Sequence, residues 1–366
     1  MRLAIELAKQ GRGWVEPNPM VGCIAVADGK MIAQGFHRKY GGPHAEVDAL
    51  EKLGPAELSN ATVYVTLEPC SHFGKTPPCA PFVAERKPKR VVIAMRDPFP
   101  AVAGQGIALL KESGIAVDVG VLREESEQLN APYLKLLHQQ RPWVTAKWAM
   151  TIDGSIATQS GDSKWISNSQ SRENVHRTRA RMDAMITGIG TVLADDPMLT
   201  ARPTSYDGFV RTPIRVVLDR NLRIPVDCKL AQSAKSVPTL VVTLEGAAPE
   251  KTRVLSSLGV EVLSVPMGDD RSTLEFALDY LGTKRCTNAM LECGPELMGH
   301  AMDRLCIDEV ECYIAPLVIG GDSLRPVRGM GIEKLSQATR WHLSSTRSFG
   351  EDTLLTYRRA NFLATS

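Results

Sequence analysis

The sequence predicts an α/β protein built from two successive domains, and three observations carry that expectation. The chain has 366 residues, more than one ordinary core encloses and enough for two. Apolar runs of strand length alternate with stretches of helical periodicity along the whole chain, the pattern of layered α/β folds. Arg141-Pro142-Trp143 interrupts the alternation, so one domain is expected over residues 1–141 and the other over residues 142–366.

The first domain is expected to open with a short amphipathic helix over residues 1–10, its stripe of Leu3, Ala4, Leu7 and Ala8 ending at Gly11. Apolar segments 23–27 and 31–36 meet at Asp28-Gly29, a hairpin-turn signal. Residues 44–53 read as a helix closed by Gly54. Residues 62–67 and 90–95 read as β-branched strands, with a helix after Cys79 between them. A helix over 107–113, a strand over 115–119 and a helix over 124–140 complete the layer pattern. The second domain begins with a strand over 144–150. Buried strands follow at 184–187, 214–218, 239–243, 289–292 and 309–319, the last ending in Gly320-Gly321. Residues 204–212 and 246–251 read as polar loops, and neither half repeats the other.

A hydrophobic share of 43% and a charged share of 23% describe a globular protein. The net charge of +2 gives no electrostatic case for nucleic acid, which calls for a basic stripe or patch. Arg86-Lys87-Pro88-Lys89-Arg90 reads as a solvated turn before a strand, and Arg177-Thr178-Arg179-Ala180-Arg181 is equally short. No run approaches the roughly 18 apolar residues of a membrane span, so no membrane partner is expected. Residues 1–10 lack a signal-peptide cleavage pattern. The chain opens directly into helix, which suggests that a residue or two of the natural N-terminus is missing. Eight cysteines in a chain of this size make no disulfide scaffold, and a reducing, cytoplasmic compartment is expected.

The chemistry concentrates in His44-Ala45-Glu46 and Pro69-Cys70-Ser71-His72-Phe73-Gly74-Lys75-Thr76-Pro77-Pro78-Cys79. One imidazole and two thiols make three zinc ligands, leaving a fourth position for water, and Glu46 is a spare carboxylate. His44 and Cys79 are expected at helix starts, where N–H groups and the positive dipole end favour thiolates. His44, Cys70 and Cys79 are therefore the expected ligands of one Zn²⁺ per chain. Glu46 is the expected proton carrier, passing the water proton to a ring nitrogen and then to departing ammonia. The order His-x-Glu then Pro-Cys…Cys is the signature of zinc deaminases of nucleobases, but here eight residues separate the cysteines instead of two.

These segments resemble the cytidine-deaminase-like superfamily. The stretch from Glu68 to Cys79, with Pro17-Asn18-Pro19 upstream, is similar to the deaminase domain of bifunctional riboflavin-biosynthesis enzymes. The resemblance implies a three-layer αβα domain. It also implies that Asn18 bonds the pyrimidine while His37, His72 and Lys75 hold a ribose phosphate. His72 and Lys75 lie in the widened loop, two cations suited to a phosphate monoester.

In the second half, Gly188-Ile189-Gly190 lacks the third glycine of a dinucleotide fingerprint, whose position is Leu193. Lys147-Trp148-Ala149-Met150-Thr151-Ile152-Asp153-Gly154, Gly161-Asp162-Ser163-Lys164-Trp165-Ile166-Ser167, the run from Thr191 to Arg202 and Glu292-Cys293-Gly294-Pro295-Glu296-Leu297 instead resemble the dihydrofolate-reductase-like α/β reductase domain of the same enzymes. By that resemblance Ala149, Trp165, Thr191 and Asp195 line an NADPH site, and Ser163, Arg179, Leu199, Arg202 and Glu292 line the substrate site. The two arginines are natural phosphate clamps. Gly294, Pro295, Glu296, Leu297, Met298, Gly299 and His300 form a glycine-led strand-to-helix turn whose N–H groups suit a pyrophosphate. Lys147 is the expected group that polarises or protonates the ribose oxygen, and Arg220 the expected contact of the adenosine 2′-phosphate.

Together these imply a bifunctional enzyme of flavin synthesis. Zinc hydroxide deaminates 2,5-diamino-6-(5-phosphoribosylamino)pyrimidin-4(3H)-one, and NADPH then reduces the ribose of the resulting aminouracil. Homodimers or homotetramers are the family expectation. A nucleic-acid deaminase is disfavoured by charge and by the wide cysteine loop. A structural zinc is disfavoured because three ligands leave a vacancy and no fourth lies in sequence register, and a chain with one active half because all four zinc-site residues are present.

Overall fold

Five strands form the sheet of the N-terminal half in this computed structural model, which describes residues 1–99 and 103–360. They are β1 (Gly22–Ala27), β2 (Lys30–Phe36), β3 (Thr62–Leu67), β4 (Arg90–Met95) and β5 (Ala116–Val119), in the order β2-β1-β3-β4-β5. The β1–β2 hairpin turns through Asp28 and Gly29 with φ of 49° and 74°, the left-handed pair that matches strand twist. β1 runs antiparallel to β2 and β3, while β3, β4 and β5 run parallel.

Helices cover both faces, and two glycines let them approach. A Cβ at Gly22 would lie 2.0 Å from the Ala4 carbonyl oxygen, and one at Gly35 would lie 2.4 Å from the Ala49 nitrogen. Gly35 pairs with Cys23, the neighbour of Gly22, so alternation puts the two glycines on opposite faces. Helix Arg2–Ala8 therefore lies on one side and helix Ala45–Leu50 on the other. The expected stripe of the first helix is rotated: Ala4, Ile5 and Ala8 are buried, while Leu3 is exposed. The helix expected over 124–140 is two, Arg123–Leu129 and Ala131–Gln139. Buried Asn130 breaks it, since its side chain accepts the Met20 N–H at 2.8 Å and donates to the Met20 carbonyl at 3.0 Å.

The chain divides into two units, Met1–Gln139 and Gln140–Ser366. Among its described residues the second holds nine strands: β6 (Trp143–Thr151), β7 (Ala184–Gly188), β8 (Ile214–Leu218), β9 (Thr239–Leu244), β10 (Glu261–Val265), β11 (Asn288–Leu291), β12 (Glu309–Ala315), β13 (Trp341–Phe349) and β14 (Asp352–Arg359). Their order is β10-β9-β8-β7-β11-β6-β12-β14-β13, parallel from β10 to β12 and then antiparallel. The central strands bury Val144, Ala146, Ile186, Val216, Val242 and Leu291 in one core, as strands covered on both faces do.

Three differences from the expected elements have physical causes. β12 stops at Ala315 rather than 319, because Pro316 has no N–H to continue the ladder. Pro249 starts helix Pro249–Ser257, which takes over the end of the loop expected at 246–251. The hairpin of β13 and β14 was not expected, because β13 is an edge strand exposed along almost its whole length and carries no apolar alternation.

Arg215 on β8 is wholly buried with no carboxylate partner among the described residues. Its guanidinium donates to the carbonyls of Met198, Leu230 and Val237 and to the hydroxyls of Ser233 and Thr239. Burial pulls its pKa down to about 10. Arg215→Met takes the side-chain donor from the Met198 and Leu230 carbonyls, while Val237 keeps the Thr239 hydroxyl, so a loss of about 2–5 kcal/mol is expected in a denaturant melt. A melt within 1 kcal/mol of wild type, roughly the median point-mutant effect, would contradict this. Among the described residues no helix is long and apolar enough to cross a membrane. None of the eight cysteines is in a disulfide.

Candidate functional site

The zinc-type constellation assembles where three loops meet helix starts. His44 is the N-cap of helix Ala45–Leu50, Cys79 is the first residue of helix Cys79–Glu85, and Cys70 follows β3. Their ligand atoms all lie within 4.8 Å of one another. His44 Nδ1 sits 3.5 Å from the Cys70 sulfur and 3.2 Å from the Cys79 sulfur. A tetrahedron with Zn–S of about 2.3 Å and Zn–N of about 2.0 Å has N···S edges of about 3.5 Å, so the donor set fits Zn²⁺ in size and chemistry. The other imidazole nitrogen, Nε2, lies 3.2 Å from the Thr76 hydroxyl, which fixes the ring as second-sphere partners do. The Cys79 N–H donates to the Cys70 sulfur at 3.3 Å. Hydrogen bonds from Cys79 and His44 hold the Cys70 thiol well below its ordinary range, at about 4.

Glu46 stands in the first turn after His44, 3% exposed, and its carboxyl hydrogen-bonds the Cys79 side chain. Burial, reinforced by Cys70, raises its pKa to about 7. His37 is buried beside His44, the ring centroids 5.3 Å apart. It donates from Nδ1 to the Pro43 carbonyl at 2.8 Å and accepts at Nε2 from the Asn18 amide at 3.3 Å. Asn18, His37 and His44 thus form one chain of contacts. His72 and Lys75 lie farther out on the exposed loop. His72 packs 5.8 Å from the Phe99 ring, and the Lys75 ammonium sits 4.0 Å over the Tyr40 ring. Thr76 and Tyr40 were not anticipated. Thr76 lies inside the cysteine spacer, but only folding brings it to His44.

A second constellation lies in the C-terminal unit around Glu292, just past β11. Arg179, at the end of helix Ser169–Arg179, donates from Nε and Nη2 to the two Glu292 oxygens at 2.7 Å each. The Lys147 ammonium on β6 is 3.8 Å from Glu292. Burial opposes ionisation of Glu292, but Arg179 and Lys147 outweigh it and hold the pKa at about 2. Arg179 therefore spends two donors on Glu292. Arg202 is the more open arginine, bonded through Nη1 to Thr200 at 2.9 Å.

Leu199 is buried with a left-handed φ of 49°, in the segment that Arg215 grips through Met198. Ala149 lies two residues beyond Lys147 on the same face of β6. Ser163 and Trp165 belong to an exposed segment, with Arg172 stacked 4.6 Å from the Trp165 ring. Thr191 and Asp195 lie on helix Ile189–Asp195 after β7, and Asp195 pairs with Lys164 at 3.8 Å.

Gly294 is the N-cap of helix Pro295–Asp303, which carries Glu296, Leu297, Met298, Gly299 and His300. Leu297 packs against Gly188, so the turns after the adjacent parallel strands β7 and β11 lie side by side. Ligands of open α/β sheets bind at such carboxyl-terminal edges. Met298 and Gly299 face inward, and Glu296 pairs with Arg328 at 2.9 Å. Arg220 is exposed just past β8.

A three-layer unit with a His-Cys-Cys site and a buried glutamate, followed by a parallel-sheet unit with a Lys–Glu–Arg cluster, defines a zinc-dependent deaminase joined to an NADPH-dependent reductase. Residues 1–95 match the cytidine and deoxycytidylate deaminase zinc-binding region, and residues 142–355 match the RibD C-terminal domain. The chain is 43% identical to the riboflavin biosynthesis protein RibD of Actinobacillus pleuropneumoniae over 98% of this chain and 94% of that one. It is 36% identical to the protein of the same name from Escherichia coli, over 97% of each. A solved structure of Acinetobacter baumannii RibD matches with a TM-score of 0.84 and 36% identity, over 98% of this chain and 97% of that one. A deaminase/reductase structure from Thermotoga maritima matches with a TM-score of 0.81 and 34% identity, over the same shares. The chain belongs to the RibD family.

Proposed function

We propose that the two halves catalyse consecutive steps on one phosphoribosyl pyrimidine, with the deaminase in residues 1–141 and the reductase in residues 142–366. The observation that carries this reading is the His44–Cys70–Cys79 set with Glu46 sealed beside it, in a chain that continues into the Lys147–Glu292–Arg179 cluster. The first substrate is 2,5-diamino-6-(5-phosphoribosylamino)pyrimidin-4(3H)-one, which loses ammonia to give 5-amino-6-(5-phosphoribosylamino)uracil. Reduction of the ribose then gives the ribitylamino phosphate.

His44, Cys70 and Cys79 hold Zn²⁺, which when bound supplies a water acidified to a pKa of about 7. Glu46 moves protons from the attacking water to the ring nitrogen and then to the departing amino group. Asn18 orients the pyrimidine, and His37, His72 and Lys75 hold the ribose phosphate. In the reductase, NADPH supplies the hydride. Ala149, Trp165, Thr191, Asp195 and the turn from Gly294 to His300 hold that cofactor. Lys147 gives a proton to the ribose ring oxygen as its bond to C1′ opens, and Glu292 holds the Lys147 ammonium in place. Ser163, Arg179, Leu199 and Arg202 surround the substrate, with Arg202 the main phosphate contact.

Arg220 contacts the adenosine 2′-phosphate. Arg220→Ala is expected to lower the NADPH-over-NADH ratio of kcat/KM by about tenfold, one lost charged hydrogen bond. An unchanged ratio removes the assignment. A cytoplasmic homodimer or homotetramer belongs to the same reading, and the exposed apolar side chains of Met330, Ile332, Leu335 and Leu343 support self-association. Light scattering after size exclusion checks this, and a monomer at micromolar concentration would contradict it.

The function is tested by supplying the diaminopyrimidine phosphate and following ammonia and NADPH together, with and without a zinc chelator. Ammonia release and NADPH oxidation are both expected to stop in the chelated protein. NADPH oxidation is expected to resume when the aminouracil phosphate is added. NADPH oxidation of the diaminopyrimidine by the chelated protein would overturn the order of steps.

A further inference from the structure

Glu311 on β12 is a buried carboxyl that the reaction described so far does not use. It is 8% exposed, and its Oε2 is sealed from solvent with no hydrogen-bond partner. Such an oxygen costs stability unless it is hydrogen-bonded, so its retention calls for an explanation. β12 runs parallel to β6, and the register sets Glu311 directly opposite Lys147. Strand alternation points both side chains to one face. That is the face where Ala149, Val175, Tyr313 and Leu354 pack, and where Asn174 of helix Ser169–Arg179 donates to the Tyr313 hydroxyl at 2.6 Å. Lys147 thus has Glu292 on one side and Glu311 on the neighbouring strand.

The two carboxyls are not equivalent. Glu292 is locked as a carboxylate by the bidentate Arg179, so it holds no proton to give near neutrality. Glu311 has no such clamp. Its charged and titratable surroundings are Glu309 and Tyr313 on its own strand, Lys147 from β6, Arg347 from β13 and Arg181 from the segment after helix Ser169–Arg179. Glu309 is already paired with Arg358 of β14 at 2.8 Å. Burial, with Glu309 adding to it, raises the Glu311 pKa to about 7.

We propose that Glu311 is a positioning residue that acts through Lys147 as its proton reserve. The proposal rests on the reading of Lys147 as the proton donor of the reductase. In the reduction, hydride forms a C–H bond at C1′, the bond from C1′ to the ring oxygen breaks, and Lys147 protonates that oxygen. The Glu311 carboxyl then returns a proton to the neutral lysine, and solvent reprotonates Glu311 at Oε1, the oxygen that is not sealed. One NADPH and one proton are consumed per turnover.

The test is Glu311→Gln in the full chain, assayed with the aminouracil phosphate and NADPH across pH. The reductase kcat is expected to fall about tenfold, below the range for a direct proton donor because Glu311 acts through Lys147. KM values should stay within about twofold, since no substrate contact is removed. Wild-type kcat should decline as pH rises through about 7, where Glu311 loses its proton, and the glutamine variant should lack that inflection. Ammonia release from the diaminopyrimidine phosphate should be unchanged, which excludes general unfolding.

A glutamine variant with wild-type kcat and the same inflection overturns the role of Glu311. If Lys147→Met abolishes reduction at the same time, the reading of Lys147 survives; if Lys147→Met is active, both fail. Should the glutamine variant not fold, Glu311→Asp keeps a carboxyl one methylene farther away. It is expected to retain the inflection at reduced kcat, and full kcat without the inflection overturns the proposal.

Discussion

Glu46→Gln is expected to stop ammonia release while leaving zinc in place. The side chain is buried in the first turn after His44 and touches Cys79 without belonging to the ligand set. Glutamine keeps its size and a hydrogen bond but accepts no proton. The loss expected is that of a positioned proton carrier, about 10²–10⁴-fold in kcat. Elemental analysis should still find one zinc per chain, because His44, Cys70 and Cys79 are untouched. Reduction of separately supplied aminouracil phosphate should proceed at the wild-type rate. Ammonia release within a few-fold of wild type would make Glu46 a structural residue.

Lys147→Met is expected to produce the mirror phenotype. Methionine conserves the stem length on β6 and removes only the ammonium that sits 3.8 Å from Glu292. The Arg179–Glu292 pair remains, so the site keeps its frame and its charge is not orphaned. NADPH oxidation on the aminouracil phosphate should fall about 10²–10⁴-fold, with ammonia release from the diaminopyrimidine unaffected. If the variant binds both substrates less tightly but keeps kcat, Lys147 is a binding group and the proton comes from elsewhere.

The zinc-type site was legible because its residues sit in two short segments and each ligand type announces itself. His44 and Cys79 fall at helix starts as expected, and β3, β4 and β8 match their expected bounds. What was hidden depends on contacts far apart in sequence. Thr76, 32 positions from His44, becomes its partner only on folding, and Asn130 breaks a helix by gripping Met20 across 110 residues. Arg179 reads as a free phosphate clamp in sequence, yet two of its donors are engaged by Glu292 across 113 residues. Glu311 falls in the segment 309–319, which reads only as a buried strand. Its meaning comes from a parallel register with Lys147, which no local pattern encodes. The hairpin of β13 and β14 stayed invisible because an exposed edge strand needs no apolar alternation.

The central claim is that two sites in one chain act in a fixed order, deamination before reduction. Its most direct test gives Glu46→Gln each substrate in turn and records NADPH absorbance. The account predicts wild-type oxidation with the aminouracil phosphate and none with the diaminopyrimidine phosphate. Steady NADPH oxidation with the diaminopyrimidine phosphate would show that reduction does not wait for deamination, and would contradict the account.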